Sequence, residues 1–317
     1  MNFSWAVCRC FFYKNIFIPE LGHVEFHGRQ QFVKTYLEGL RKLDAENVIA
    51  DIEAEINRRR NINGITYQNY LVIKEKYKPL NSQLFNKETL FSLPPTIQGV
   101  TECIDGVFNF PLMSLDQCGL LVEEIKHFKQ ANLPHQRPNS MNKNGILFTE
   151  IGLDDLIRSI VDAVQPLSQE KFPALVGSTG FDSFKAFTVE YATEASADQD
   201  LATHFDNAEV TLNIPLFTED QEGNELIFQT KRGFRPQEME IGRAILHAGS
   251  QQHGVLPITS GSRCNLIIWM RSSEIRNREC PMCKQSPDLE EVEFGKGDGF
   301  KIWKGETKCA RVGTKSM

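Results

Sequence analysis

Between Phe184 and Arg271 polar and apolar residues alternate, and this stretch restricts the fold more than any other in the chain. The alternation is carried by Phe184–Tyr191, Glu209–Phe217, Asn224–Gln229, Gly242–His247 and Arg263–Arg271, each bounded by Gly, Asn, Asp or Pro. Successive side chains of an extended segment point to opposite faces, so each run predicts a strand with one face turned inward. Strands this short and closely spaced suggest a β-sandwich or barrel. Helical spacing precedes them, which predicts an α+β fold with helices flanking the sheets on one side.

The helical part has its own landmarks. Val48, Ile49, Ile52 and Ile56 share one face of a helix predicted from about Ala45 to Arg60. Arg58, Arg59 and Arg60, the densest basic run, are expected to end that helix in solvent. Ser114 is a good N-cap for a second helix, in which Leu115, Cys118, Leu121, Val122, Ile125 and Phe128 recur at helical spacing. Residues 80–99, with Pro94 and Pro95, suit an irregular connector, and residues 132–144, with Pro134 and Pro138, suit a loop. Beyond Glu274 the periodicity weakens, and Gly295, Gly297 and Gly299 suggest a loop-like tail. The expected organisation is a mainly helical segment 1–100, a β-domain with its leading helices at 101–274, and a tail at 275–317.

Composition narrows the partners. A formal net charge of −6 argues against a nucleic-acid partner, since such proteins usually present a basic face. No apolar window is long enough for a membrane helix, so no membrane insertion is expected. The aromatic N-terminus has Lys14 and Asn15 in it and makes a poor signal peptide, reading instead as an ordered strand or hydrophobic plug. Eight cysteines without regular spacing suit reduced thiols, which favours an intracellular setting. Cys280 and Cys283 form a C-x-x-C pair; it reads either as two reduced thiols in a tail or as half a metal site, for which Cys309 is the only later thiol.

His204-Phe205-Asp206 is the sharpest chemical signal. Residues two apart on an extended segment share a face, so imidazole and carboxylate converge. Alone the tripeptide is weak, and a surface His and Asp would satisfy it. Downstream, His253 opens a strand-like stretch and Arg263 follows ten positions later. Two His and one carboxylate on a rigid sheet form the facial triad that binds non-haem iron(II) with open positions. Two of these suit the keto-acid chelate of 2-oxoglutarate and the third suits dioxygen. A guanidinium such as that of Arg263 would pair with the far carboxylate of the co-substrate. Asn213 and Tyr191 could add hydrogen bonds; they could equally be a backbone-satisfying Asn and a core-edge Tyr. His247 competes with His253 for the third metal position and reads better as a core or supporting histidine.

These residues resemble the prolyl- and lysyl-hydroxylase-like branch of the 2-oxoglutarate oxygenases. The stretch His204 to Asn213 looks like that branch's His-x-Asp and Thr-Leu-Asn strand. Glu222 to Phe228 is similar to its Gly-Gly-x-Leu-x-Phe strand, with Asn224 at the second Gly. His247 to His253 followed by Gly261-Ser262-Arg263 looks like its His-Pro-Gly…His…Gly-x-Arg segment, in which the second His is the ligand. Arg137 to Asn142, Arg276 to Cys283, Gly295 to Phe300 and Cys8-Arg9-Cys10 resemble the 2-oxoglutarate and iron-dependent oxygenase domain-containing proteins within it.

The resemblance implies a jelly-roll double-stranded β-helix, iron(II), 2-oxoglutarate and L-ascorbate. It also implies hydroxylation of a C–H bond with release of succinate and CO₂, and N-terminal helices that brace the major sheet. It names no primary substrate, which could be a protein or a small molecule. Two other classes compete: an inactive jelly-roll binding module, marked by a lost ligand, and a cupin-like isomerase or hydrolase, which would not need Arg263.

Overall fold

The computed structural model describes residues 4–86, 93–94, 96–282, 284–287, 289–293 and 300–302. The chain opens with β1 (Ser4–Cys8), α1 (Cys10–Tyr13), β2 (Ile16–Ile18), β3 (Gly22–Val24), α2 (Arg29–Leu40) and α3 (Ala45–Lys76). After a 3-10 turn at Ser82–Phe85 come β4 (Thr101–Ile104), β5 (Val107–Pro111), α4 (Leu115–Gln130), α5 (Phe148–Ile151), α6 (Asp154–Lys171) and α7 (Pro173–Val176). The strand-rich part holds β6 (Ser183–Ala192), β7 (Leu201–His204), β8 (Val210–Gly223), β9 (Leu226–Thr230), β10 (Gly233–Gln237), β11 (Arg243–Ala248), β12 (His253–Val255) and β13 (Ile258–Arg271). Then follow α8 (Ser273–Arg276), β14 (Leu289–Glu293) and β15 (Lys301–Ile302).

Two antiparallel sheets dominate. The larger runs β15-β6-β13-β8-β11-β5-β4 and the smaller β10-β9-β12-β7. They face each other across a shared interior, where Phe187, Ile245 and Ile267 of the large sheet meet Leu226, Phe228 and Val255 of the small one. This is a double-stranded β-helix, or jelly roll. The two-residue period decides which side chain goes where. On β8, Leu212 and Ile214 join the core beneath the helices, whereas Thr211 and Asn213 line the interior cavity. On β13, Leu266 and Ile268 do the former, Asn265 and Ile267 the latter. A one-residue slip of either strand would exchange the two sets and destroy both core and site.

The outer core is sealed by helices α4 and α6. Leu121, Ile125 and Phe128 of α4, with Ile157, Ile160, Val161 and Val164 of α6, pack with the outward residues of β8 and β13. Each such Leu, Ile or Phe stabilises the fold by roughly 1.5–3 kcal/mol when fully buried. The Ser114 hydroxyl accepts from the Gln117 amide, and the Gln117 side chain accepts from the Ser114 amide, closing a capping box. Leu115, by contrast, is exposed rather than part of the buried stripe, because it sits at the first position after the cap.

Several expectations change. Helix α3 continues sixteen residues past Arg60, because Ile62, Thr66 and Ile73 keep a buried face. The arginine run is therefore mid-helix, and Arg59 is only 4% exposed. Helix α3 packs on α5, and bracing of the large sheet is shared: α4 and α6 cover it, and Ile73, Tyr77 and Leu84 of the first hundred residues join the same core. Arg263 lies within β13, not at its start, because the pairing with β8 begins at Ile258. The stretch after Glu274 is not simply loop: β14 pairs with β1 and β15 with β6. Gly295, Gly297, Gly299, Cys283 and Cys309 lie outside the described residues.

Candidate active site

The small sheet brings two histidines side by side. β12 pairs antiparallel with β7 so that His253 stands opposite His204, with ring centroids 4.3 Å apart. Asp206 follows His204 by two residues, just past the end of β7, and its amide donates to the Gly249 carbonyl at 2.9 Å. Gly249 is required there by contact: a Cβ would fall 2.0 Å from the Ala208 carbonyl oxygen. Glu209 steadies the far end of this turn. Its carboxylate accepts from Arg276 Nε at 2.7 Å and from the Ser272 amide at 3.0 Å, while Arg276 Nη1 donates to Asn207 Oδ1. Burial pushes the Glu209 carboxyl up, against the pull of Arg276.

The donor atoms of His204, Asp206 and His253 all lie within 4.8 Å of one another, and all three residues are buried. His204 Nε2 is 3.4 Å from Asp206 Oδ1, and His253 Nε2 is 3.6 Å from Asp206 Oδ2. The other ring nitrogens are engaged. His204 Nδ1 meets the Ala202 carbonyl and His253 Nδ1 the Gln251 carbonyl, each at 2.9 Å. Protonated Nδ1 atoms donating to these carbonyls leave both Nε2 lone pairs aimed at one point. Burial pushes the His253 imidazole down to about 3, against the pull of Asp206, so it is neutral at physiological pH as a ligand must be. Burial alone would raise the Asp206 carboxyl; His253 and His204 outweigh it and hold the group well below the usual carboxylate range. Thr211 donates to Asp206 Oδ2 at 2.6 Å, fixing its rotamer. The donor set and its geometry fit a divalent iron.

His247 is fully enclosed, with its Nε2 at 4.0 Å from Asp206 and Nδ1 at 2.9 Å from the Ala248 carbonyl. It stacks edge-on to His253 at 4.7 Å and to Phe228 at 5.0 Å. It supports the wall behind the cluster.

Arg263, Asn213 and Tyr191 line the same cavity as the three metal-capable residues. Arg263 Nη1 donates to the Asn224 carbonyl at 2.6 Å, and its guanidinium lies 5.1 Å from the Tyr191 ring centroid. Its Nε is buried without a hydrogen-bond partner. A buried donor left unmade is costly, so this edge of the fork is suited to an incoming anion. Asn224 holds φ 61°, a left-handed turn that asparagine tolerates, and so offers its carbonyl to Arg263. Asn213 Oδ1 accepts from Asn265 Nδ2 at 2.8 Å, and Asn142 Nδ2 donates weakly to the Tyr191 hydroxyl at 3.4 Å. Burial pushes the Tyr191 phenol up to about 12, so it stays a neutral donor.

The chain is similar to known proteins over part or most of its length. A model of the OGFOD2-like domain matches residues 73–177. The 2-oxoglutarate and iron-dependent oxygenase domain-containing protein 2 of Danio rerio is 37% identical to the chain, covering 93% of it and 94% of that protein. The chain belongs to this family. The procollagen-lysine,2-oxoglutarate 5-dioxygenase 1 of Rattus norvegicus is 27% identical over 51% of the chain and 23% of its own length. A Pseudomonas putida prolyl-4-hydroxylase of known structure overlays with a TM-score of 0.40 at 16% identity, covering 52% of the chain and 92% of that one.

Within this oxygenase family member, several residues that sequence reasoning passed over complete the site. Thr211 and Asn265 could have been found, since they share the inward phase of β8 and β13 with Asn213 and Arg263. Glu209 and Arg276 meet across 67 residues and leave no local trace. The cavity also extends to Phe11, Asn15, His23, Arg58, Arg59 and Met282, so the N-terminal segment walls the site as well as supporting the fold. Burial pushes His23 down, and the His204 ring adds to that shift. No helix among the described residues is long and apolar enough to cross a membrane.

Proposed function

We propose that the chain is an iron(II)- and 2-oxoglutarate-dependent dioxygenase that hydroxylates a C–H bond of its primary substrate. In this reading His204, Asp206 and His253 hold the iron, Arg263 pairs with the far carboxylate of 2-oxoglutarate, and Asn213 and Tyr191 add hydrogen bonds to it. No further catalytic side chain is invoked. The proposed domain division is an N-terminal segment 1–100, an oxygenase domain 101–274 and a tail 275–317. One observation carries the reading: three buried metal-capable groups and an arginine with an unpaired buried Nε open into one cavity.

Bound iron would supply the redox chemistry in which 2-oxoglutarate and O₂ become succinate and CO₂ while one oxygen atom enters the C–H bond. The chain's own work is positional. The carbonyls of Ala202 and Gln251 hold the two imidazole rings, and the Thr211 hydroxyl holds Asp206, so little reorganisation accompanies metal binding. Arg263 cannot lose its proton and keeps its charge against any carboxylate. Leu226, Val255, Ile267 and Trp269 line the walls and reduce water access. Ascorbate belongs to this reading as the reductant that maintains the ferrous state. The primary substrate is a protein or small molecule that reaches the cavity past the N-terminal wall.

The full chain incubated with iron(II), 2-oxoglutarate, ascorbate and candidate substrates should release succinate. Succinate no higher than a metal-free control, together with no mutual enhancement of iron and 2-oxoglutarate binding, would remove the assignment. Omitting ascorbate should lower the number of turnovers and leave the first one intact.

A further inference from the structure

A second cluster of metal-capable side chains lies apart from the oxygenase site. Cys8 ends β1, Cys10 begins α1, and Cys280 lies just beyond α8; all three are buried, Cys280 completely. Their sulfur atoms lie within 4.8 Å of one another, and Cys10 Sγ is 3.1 Å from Cys280 Sγ. None of the three is in a disulfide. Residues 270 positions apart in sequence are thus gathered around one point.

Ordinary packing does not account for this gathering. Among the described residues the buried cluster consists of Cys8, Cys10 and Cys280, with Met282 packed against it, and each of these carries sulfur. The strands it adjoins, β1 and β14, form only a two-stranded sheet. Such a pair is marginally stable in water without further support. A disulfide does not account for it either: a Cys10–Cys280 bridge needs the sulfurs at about 2.05 Å and leaves Cys8 over. A thiophilic ion does. With Zn–S bonds near 2.3 Å, tetrahedral sulfurs stand roughly 3.8 Å apart, a spacing three such thiols reach by small side-chain adjustments. Each coordinating thiol gives up its proton to solvent. Arg9 and Lys14 line the adjoining opening, through which an ion can reach the sulfurs.

We infer that Cys8, Cys10 and Cys280 bind a structural zinc ion that ties the N-terminal strand to the segment after the jelly roll. The fourth position belongs to water or another donor, and Cys283, outside the described residues, is not counted. The consequence reaches the oxygenase cavity. Phe11 and Asn15, just after Cys10, and Met282, just after Cys280, line that cavity, and Asn15 Nδ2 contacts Met282 Sδ at 3.9 Å. The zinc therefore holds the two chain ends that form one wall of the site.

The test uses the full chain purified under reducing conditions without chelator. Because the His204, Asp206 and His253 site contains no sulfur, zinc analysis is done on the Asp206→Ala variant and cobalt substitution on both that variant and the parent chain. About one zinc per Asp206→Ala chain is expected, together with thiolate-to-cobalt charge-transfer absorption in both proteins. Cys280→Ser and Cys10→Ser should each weaken zinc binding at least tenfold. If a cysteine variant fails to fold, the cobalt spectrum of the parent chain still decides. Folded parent chain giving no sulfur charge-transfer band would overturn the inference. So would zinc binding unchanged in Cys280→Ser, or a Cys10–Cys280 disulfide in the freshly purified protein. None of these results depends on oxygenase turnover.

Discussion

The two metal-capable clusters are built in opposite ways. His204 and His253 face each other across paired strands, and Asp206 is two residues away, so the backbone ladder sets their geometry before any ion arrives. Cys8, Cys10 and Cys280 come from distant parts of the chain, gathered by a two-stranded sheet, by their own contacts and by the arginines of α3 that hold the segment after Cys10. The first cluster also mixes imidazole with carboxylate and opens into a cavity, as a site that must admit co-substrate requires. The second is all sulfur, the composition of a site that holds structure. An ion at the first site is a passenger on a finished scaffold; an ion at the second is part of the scaffold.

The sharpest way to break this comparison is Asp206→Ala. The variant should lose iron binding by more than the roughly 10–100-fold typical of supporting partners, and succinate release should fall to the metal-free level. Far-ultraviolet circular dichroism and thermal unfolding should change little, because removing a buried carboxylate also removes its desolvation cost and, among the described residues, Thr211 is the only neutral donor it strands. An unfolded variant would show that the barrel depends on its ligands, as the thiol cluster is inferred to.

Arg263→Ala comes next. Removing the charge-assisted fork should weaken 2-oxoglutarate binding about 10–100-fold in calorimetry while iron binding persists. Unchanged affinity would favour an isomerase or hydrolase chemistry, which has no need of this cation. The truncation also strands the Asn224 carbonyl that Nη1 now reaches, so some loss of thermal stability accompanies it.

How much of this was legible in the sequence follows the range of each signal. The strands at Phe184–Tyr191 and Arg263–Arg271 were readable because a period of two is local, and the same period puts Asn213 and Arg263 on one inward face. His204 and Asp206 were readable as a pair for the same reason, and the spacing of His253 from Arg263 favoured it over His247, a choice the resemblance supported. Both histidines in fact stand around Asp206, at 3.6 and 4.0 Å. What escaped notice is long-range. Helix α3 was expected to end at about Arg60, but Ile62, Thr66 and Ile73 keep a buried face beyond it through contacts with distant segments, α5 among them. Cys8 and Cys10 seemed unrelated to Cys280 because nothing local marks the pairing of β1 with β14.

The arginine run shows the same lesson energetically. Arg59 Nε reaches Glu55 Oε1 at 2.7 Å, Arg58 Nε reaches Oε2 at 2.8 Å, and Arg137 Nη2 joins at 2.6 Å. Arg59 also donates to the Phe11 carbonyl at 2.7 Å, so the network fastens α3 to the N-terminal wall of the cavity. Burial alone would raise the Glu55 carboxyl, but Arg58 and Arg59 outweigh it and hold the group at about 2. A depressed carboxyl contributes stability that is complete above its unfolded value and lost as pH falls. The window here runs from about 4.5 down to about 2. Glu55→Gln should cost about 2 kcal/mol near neutral pH and flatten the acid limb of the stability profile across that window, as measured by urea unfolding at several pH values. An acid limb unchanged by the substitution would mean that the network is not intact in solution.

The smallest effect is expected from Tyr191→Phe, which returns to the barrel and asks how finished it is. The ring, not the hydroxyl, meets the Arg263 guanidinium, so phenylalanine keeps that contact and the packing with it. Among the described residues the hydroxyl has only the long 3.4 Å bond from Asn142. If it also donates to 2-oxoglutarate, its loss removes one hydrogen bond worth about 0.5–1.5 kcal/mol, a weakening of roughly two- to tenfold in 2-oxoglutarate affinity. Stability should hold or rise slightly, since a polar group leaves a buried position. If Tyr191 is a core-edge residue instead, 2-oxoglutarate affinity stays constant and only thermal stability shifts. Titration calorimetry and a melting curve on the same sample separate the two. A loss of iron binding in this variant would contradict both, because it would mean that the Tyr191 hydroxyl controls a cluster that strand pairing, Gly249 and Thr211 are held to shape.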